Sequence, residues 1–286
     1  MEVGIPGSVL GMGVVVTLSE GPPATDRARA VFDAVWPGEG SQVTPNLMRA
    51  LLHAGGYCSI AIDDDTGATV GAALGFPARD ATLAGGVFLH SHMAAAIEGW
   101  RDRGVGTLLK QHQRAWALAQ GIPVVSWTFD PLVRRNAYLN VIRLGVEVRD
   151  YHPDFYGEMP DAINAGDRTD RLVAWWVVNS DRAERAARTE IAAPDDAEMR
   201  AQVRDLIRFD AAGNPEAAQP PEADETVLVS LPDDIVTLRR GDPDLGLRWR
   251  LAVRQALTAS FERGLRVATV TTAGSYVLEP SEGETA

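Results

Sequence analysis

The sequence predicts a mixed α/β fold organised around one strand–loop–helix unit, and three features carry that prediction. Short β-branched or alternating runs bounded by turn residues are interleaved with segments of helical period. Val105–Gln120 is the strongest amphipathic helix of the chain, with Val105, Leu108, Leu109, His112, Trp116 and Ala119 at i, i+3, i+4, i+7 spacing. Directly before it stand the glycines and arginines of Arg101-Asp102-Arg103-Gly104-Val105-Gly106, and before those a β-rich run.

In chain order, Val14–Leu18 is a β-branched strand. A helix is expected from Thr25-Asp26, carrying Ala28, Val31, Phe32 and Val35 and stopping before Pro37-Gly38. A second begins near Thr44 with Pro45 at its first position and Leu47, Leu51 and Leu52 on one face. Tyr57–Ile62 and Ala68–Phe76 form a hairpin across the turn residues Asp63-Asp64-Asp65-Thr66-Gly67. Val87–Met93 is the strand before the glycine loop. After the long helix, closed by Gly121, come a strand (Pro123–Phe129), a helix (Arg134–Leu144, ended by Gly145) and strands Val146–Tyr151 and Leu172–Val178.

The domain boundaries expected from composition are 1–180, 181–225 and 226–286. Residues 181–210 are charged and alanine-rich, with helical character; 211–225 reads as a polar, proline-bearing linker. The last part predicts a strand at Thr226–Leu231, a helix capped by Asp242-Pro243 and running to Phe261, and a strand pair at Arg266–Thr271 and Ser275–Leu278. Trp249, Leu245, Leu257 and Phe261 form the apolar stripe of that helix. Trp175-Trp176 reads as core on one side and cleft or interface on the other.

Bulk properties narrow the function. The chain has 286 residues, 45% of them hydrophobic, enough for a sizeable core. A net charge of -12 provides no electrostatic footprint for nucleic acid or an anionic membrane. The single cysteine, Cys58, excludes an intrachain disulfide and a cysteine metal cluster, and fits a reducing, cytoplasmic compartment. Residues 1–13 lack a basic n-region and read as a loose N-terminus rather than a signal peptide. No apolar run approaches the roughly 18–20 residues that span a bilayer.

The pattern Arg101-x-x-Gly104-x-Gly106 at a helix start is an anion site in physical terms. Unpaired N–H groups and the positive end of the helix dipole face outward. The glycines let oxygen atoms approach the backbone, and Arg101 and Arg103 add charge suited to a pyrophosphate. A dinucleotide fingerprint would need an earlier glycine, and a P-loop a lysine sooner than Lys110. A helix that simply begins with glycines after an arginine-rich turn is the plain structural alternative.

That pattern, between a strand and a long helix, resembles motif A of the GNAT acyltransferases. Further segments resemble one largely uncharacterised GNAT subgroup that includes amino-acid N-succinyltransferases: Ser91-His92-Met93, Trp127 to Leu132, Asn136 to Asn140, Leu144-Gly145, Asp154 to Met159, Asp170-Arg171-Leu172 and Leu247 to Arg250. The resemblance implies a GNAT fold: a mixed, mostly antiparallel twisted sheet with splayed central strands and flanking helices, here with a small C-terminal β-α-β-β extension. It implies an acyl-CoA cosubstrate, acetyl-CoA or succinyl-CoA, with no metal, and a small-molecule amine as acceptor. It admits a homodimer through late strands. Backbone N–H groups of Asp102, Arg103, Gly104, Val105, Gly106 and Thr107 would hold the pyrophosphate. An N–H near Ala94 or Ala96 would polarise the thioester carbonyl. Asn136 or Asn140 would reach the pantetheine arm.

The sequence departs from the pattern at the general acid. The tyrosine usual four residues before the helix-ending glycine is Val141 here, and Tyr138 lies nearly one turn earlier; Tyr138, Tyr156 or water would substitute, or the thiolate would leave unassisted. For the base, His90 and His92 share one strand face; each is alternatively a packed histidine bonded to backbone. Asp130 binds an amino group or caps the next helix. Arg134, Arg135, Arg143, Arg168 and Arg171 are candidates for a carboxylate or belong to a solvated face. A metal site would need a third ligand, which the spacing of His53, His112 and His152 does not offer. Two functions follow: an N-acyltransferase working by direct amine attack, or a catalytically weak or inactive acyl-CoA-binding protein with a regulatory role.

Overall fold

The structure, a computed structural model, describes residues 13–19, 21–38, 40–157 and 168–281. The readings of residues 1–12 and of Glu158-Met159 lie outside the described residues. The elements run β1 (Val14–Leu18), α1 (Pro22–Val35), α2 (Pro45–His53), β2 (Tyr57–Asp63), β3 (Thr69–Arg79), β4 (Val87–Ala96), α3 (Val105–Ala119), β5 (Val124–Phe129), α4 (Arg134–Tyr138), β6 (Glu147–His152) and β7 (Arg171–Val177). There follow α5 (Asp181–Ala187), α6 (Asp196–Gln202), β8 (Arg204–Asp205), β9 (Ile207–Phe209), β10 (Pro215–Ala217), β11 (Val227–Val229), α7 (Ile235–Gly241), α8 (Pro243–Glu262), β12 (Leu265–Val270) and β13 (Tyr276–Pro280).

A seven-stranded sheet has the order β1-β2-β3-β4-β5-β7-β6. Its neighbours are antiparallel at β1/β2, β2/β3, β3/β4 and β6/β7, and parallel at β4/β5. This is the mixed, mostly antiparallel sheet with flanking helices that the GNAT resemblance implies. Among the described residues the chain divides into two compact units: 13–127 with 176–184, and 128–157 with 168–175 and 185–281. The division falls inside β5 and β7.

In the first unit, β2 and β3 bury opposite residues on two faces, as the two-residue period of a strand requires. Cys58, Ile60, Ala72 and Leu74 pack with Ala28, Val31 and Phe32 of α1 and Met48 of α2. Tyr57 faces the other way, to α3, where its hydroxyl bonds His112 Nδ1 at 2.7 Å and Ser59 Oγ at 2.9 Å. Gly71 lets α3 settle on this face: a Cβ there would lie 2.8 Å from Val105 Cγ1 and 2.9 Å from the Ala95 carbonyl. Helix α1 starts at Pro22 rather than at Thr25, because Pro22 and Pro23 pre-set the first turn and Thr25 donates its hydroxyl to the Pro22 carbonyl. Strand β3 runs on through Pro77, past the last β2 pair, Tyr57↔Gly75, where the strand is an edge and tolerates proline.

In the second unit a four-stranded sheet has the order β12-β13-β11-β8, and β9 pairs with β10. The helical character expected over 181–210 resolves into α5, α6 and the start of β8–β9, and the expected linker contains β10. Helix α7 was not anticipated; the Asp234 carboxylate caps it, accepting from the Val236 and Thr237 N–H groups. Helix α8 begins at Pro243 as expected, capped by Asp242. Its stripe buries Trp249 and Leu257 but leaves Leu245 and Phe261 half-buried, and it also buries Arg250. The helix expected over Arg134–Leu144 is regular only to Tyr138. Leu139–Arg143 widens into a π turn, in which the Leu144 N–H donates to the Leu139 carbonyl at 3.0 Å.

Candidate functional site

The loop before α3 is built from left-handed turns. Asp102 has φ 60°, tolerated by its short polar side chain, and Gly104, the residue capping α3, has φ 82°. No side chain caps this helix end, and the first hydrogen bond across the turn runs from Leu108 N–H to the Gly104 carbonyl. The N–H groups of Val105, Gly106 and Thr107 are therefore left for an external acceptor. Arg101, Asp102 and Arg103 are exposed, with the Arg103 guanidinium 5.4 Å from the Trp100 ring centroid. Gly104 and Gly106 are glycines for different reasons. Gly104 needs its positive φ, whereas a Cβ on Gly106 would meet nothing within 4 Å. The protein's own packing does not require glycine at 106.

Strand β4 supplies the second part. Its parallel ladder with β5, among the described residues, is confined to Leu89↔Val125 and His90↔Ser126, while β4 continues to Ala96. Its register with β3 shifts at His92, between Gly75↔Ser91 and Leu74↔Met93, which makes a bulge. Beyond the bulge, the Ile97 N–H donates to the Val70 carbonyl of the β3 side. Alternation along the strand then turns the N–H groups of Ala96 and Ala94 away from β3, toward the open side.

His90 and His92 are brought together on one face of β4 with Phe76, their ring centroids 6.2 Å apart. Burial, the His92 ring and Lys110 push the His90 pKa down to about 4. His92 is exposed, and partial burial lowers its pKa in the same direction. Neither imidazole has a hydrogen-bond partner among the described residues, so neither is the backbone-bonded histidine of the plain structural alternative. The opposite face of β4 carries Ser91, whose Oγ accepts from Lys110 Nζ at 2.7 Å. This buried lysine of α3 escaped the sequence reading.

The remaining candidates belong to the second unit. Asp130 is committed elsewhere: Arg250 grips both its oxygens, at 2.6 and 2.9 Å, and the Leu132 N–H donates to it at 2.9 Å. Burial opposes its charge, but the Arg250 charge and hydrogen bonds hold the carboxyl below its ordinary pKa. It both begins the next turn and anchors α8, which leaves no oxygen poised to act as a base. Tyr138 is half-buried at the end of α4, and among the described residues its hydroxyl has no hydrogen-bond partner. Asn136 is half-buried on α4 and Asn140 is buried in the π turn. Val141 is fully buried. Tyr156 bonds Thr128 Oγ1 at 3.0 Å and lies under the Arg171 guanidinium. Arg134 pairs with Asp233 and Arg168 with Asp154, each in a structural contact, while Arg135 and Arg143 are exposed. Cys58 is buried and its thiol is pushed up to about 11, which excludes it as a nucleophile. Among the described residues no three His, Cys, Asp or Glu side chains converge on a metal position, and no helix is long and apolar enough to cross a membrane.

No protein-family model and no curated relative matches the sequence. Among solved structures the chain is similar to aminoglycoside 6'-acetyltransferase type Ii, at 13% identity over 58% of this chain and 98% of that one, with a TM-score of 0.45. It is similar to a GNAT family acetyltransferase from Elizabethkingia anophelis with acetyl-CoA bound, at 13% identity over 58% and 98% of the two chains, with a TM-score of 0.42. Arabidopsis thaliana Naa50 in complex with a bisubstrate analogue is similar at 16% identity over 57% and 97%, with a TM-score of 0.42.

Proposed function

We propose that this protein is an acyl-CoA-dependent N-acyltransferase that transfers an acetyl- or succinyl-type group to the amine of a small molecule, an amino acid among them. The observation that carries the reading is the uncapped N-terminus of α3, with open space over Gly106, beside a bulged β4 whose ladder to β5 stops after two pairs. The pyrophosphate lies on the N–H groups of Val105, Gly106 and Thr107, with Arg101 and Arg103 as counter-charges. The pantetheine amides follow β4, and the N–H of Ala94 or Ala96 donates to the thioester oxygen as it gains charge.

His92 takes the proton from the acceptor ammonium. It suits this task better than His90, because a base with a pKa near 4 is too weak to deprotonate an amine well. The neutral amine then attacks the thioester carbon, the C–S bond breaks, and the thiolate leaves and is protonated by water. Asp130 serves only to fix α8 in this reading.

Thiol release from acetyl-, propionyl- and succinyl-CoA against pooled amino acids tests the proposal. Acceptor-dependent thiol supports it, and absence of turnover across a broad acceptor panel refutes it. The buried Val141 favours a second reading, a catalytically weak or inactive acyl-CoA-binding protein with a regulatory role. Stabilisation by CoA without any thiol release selects that one.

A further inference from the structure

The two imidazoles of β4 share their face with a small aromatic surface. Phe76 pairs with His90 across the β3/β4 ladder, and cross-strand partners point to the same side. The bulge then inserts His92 as an extra residue between the pairs Gly75↔Ser91 and Leu74↔Met93, which leaves His92 and Met93 together on that side. The centroid of the Phe76 ring lies 5.1 Å from that of His90 and 5.7 Å from that of His92. Phe76, His90 and Met93 are half-buried and His92 is exposed, so this face is reached from solvent. Ser91, with its Lys110 partner, belongs to the opposite face.

This surface carries no charge of its own at neutral pH. Burial, the His92 ring and the Lys110 charge bring His90 to a pKa of about 4, and burial lowers His92. Among the described residues no carboxylate or guanidinium pairs with either ring, and Arg79 of β3 alternates to the other face. A carboxylate or a second ammonium set against this face would lose water without gaining a counter-charge. A flat apolar group loses nothing there and gains ring contacts. The direction of approach selects the same residues. Coenzyme A held at Arg101–Gly106, beyond the C-terminal end of β4, runs back along the strand and presents its thioester at Ala94 or Ala96. The acceptor comes from the N-terminal side of that point, where His92 and then His90 with Phe76 are the next side chains on this face.

We propose that Phe76 and His90 receive an aromatic ring of the acceptor while its nitrogen lies at His92, so that the preferred acceptor is a primary amine carrying an aromatic ring on a short alkyl chain. The inference rests on the reading of the α3 loop and β4 as the CoA site and of His92 as the base. The 5.7 Å between the His92 and Phe76 rings is the span of a short linker, so an amine at the imidazole carries its ring over Phe76. Phe76 sets specificity in this arrangement and takes no part in proton transfer.

Thiol release from acetyl-CoA and succinyl-CoA by the full chain, with phenethylamine, butylamine, putrescine and glutamate as acceptors, tests this. Phenethylamine and butylamine are both uncharged apart from the amine and differ in the ring; putrescine adds an ammonium and glutamate adds carboxylates. The expected result is a kcat/KM for phenethylamine at least about tenfold above that for each of the others. Phe76→Ala brings the ratio of phenethylamine to butylamine to about one, chiefly by raising KM for phenethylamine, with folding checked by circular dichroism. Phe76→Leu reduces the ratio and serves if Phe76→Ala does not fold. Equal or faster turnover of butylamine, putrescine or glutamate by the native protein, or a ratio unchanged in a folded variant, overturns the assignment. Absence of thiol release with every acceptor, pooled amino acids included, overturns the underlying transferase reading instead.

Discussion

Arg250 holds both carboxylate oxygens of Asp130, and the two residues are separated by 120 positions in the chain. The Arg250 side chain is 1% exposed and that of Asp130 is 11% exposed, so neither end is solvated if the other is removed. Asp130→Leu or Arg250→Met alone is expected to destabilise by about 3–5 kcal/mol, since each leaves a buried charge unpaired. The double variant Asp130→Leu/Arg250→Met recovers most of the loss. Urea denaturation of the four proteins checks this; additive losses in the double variant would contradict it.

The glycines at 71 and 106 are predicted to respond oppositely to alanine. Gly71→Ala forces a Cβ within 3 Å of Val105 and of the Ala95 carbonyl and must shift α3, costing about 1–3 kcal/mol. Gly106→Ala enters open space in a helix and leaves stability equal or slightly higher. Thermal unfolding of the two variants decides; a destabilised Gly106→Ala would show that the position is constrained by the protein itself.

His90 imposes a pH dependence on stability. Its pKa falls from 6.5 to about 4 on folding, so between those values the unfolded chain binds the proton and the folded chain does not. The contribution is present above about pH 6.5 and is lost as pH falls toward 4, amounting to at most about 3 kcal/mol for a half-buried ring. His90→Gln lacks this component. Denaturation midpoints from pH 7 to 4.5 should therefore fall less in the variant than in the native chain, and parallel profiles would exclude the effect.

If His92 takes the acceptor proton, His92→Gln lowers kcat/KM by about a hundredfold or more while leaving CoA affinity intact. The deficit shrinks at high pH, where the acceptor amine is already neutral. A deficit independent of pH would mean that His92 acts by packing rather than by proton transfer.

Much of the fold was legible because its elements obey local rules. Pro45 at a helix start, Gly121 at an end, the Asp63–Gly67 turn and the periodicity of α3 each specify backbone geometry without distant partners. The loop at Arg101–Gly106 was legible for the same reason, its glycines and following helix being contiguous. What escaped depended on tertiary pairing. Lys110 and Gln113 sit within the buried side of α3, yet polar residues read as solvent-facing until the sheet above them is known. Arg250 was hidden similarly, since its charge is tolerated in the α8 stripe only because Asp130 meets it. The π turn at Leu139–Arg143 has no propensity signature and arises where the helix end is fitted to its surroundings.

If the uncapped start of α3 binds the pyrophosphate of coenzyme A, Gly106 is the position that tests it most directly, because a Cβ there meets nothing within 4 Å. Calorimetric titration of CoA into the native chain and into Gly106→Val is the measurement. The account predicts saturable binding by the native chain and a loss of at least about a hundredfold in affinity in a variant that unfolds at the same temperature, because the side chain takes the space the phosphate oxygens need. Equal affinity of the two proteins, or no binding by the native chain, would contradict it.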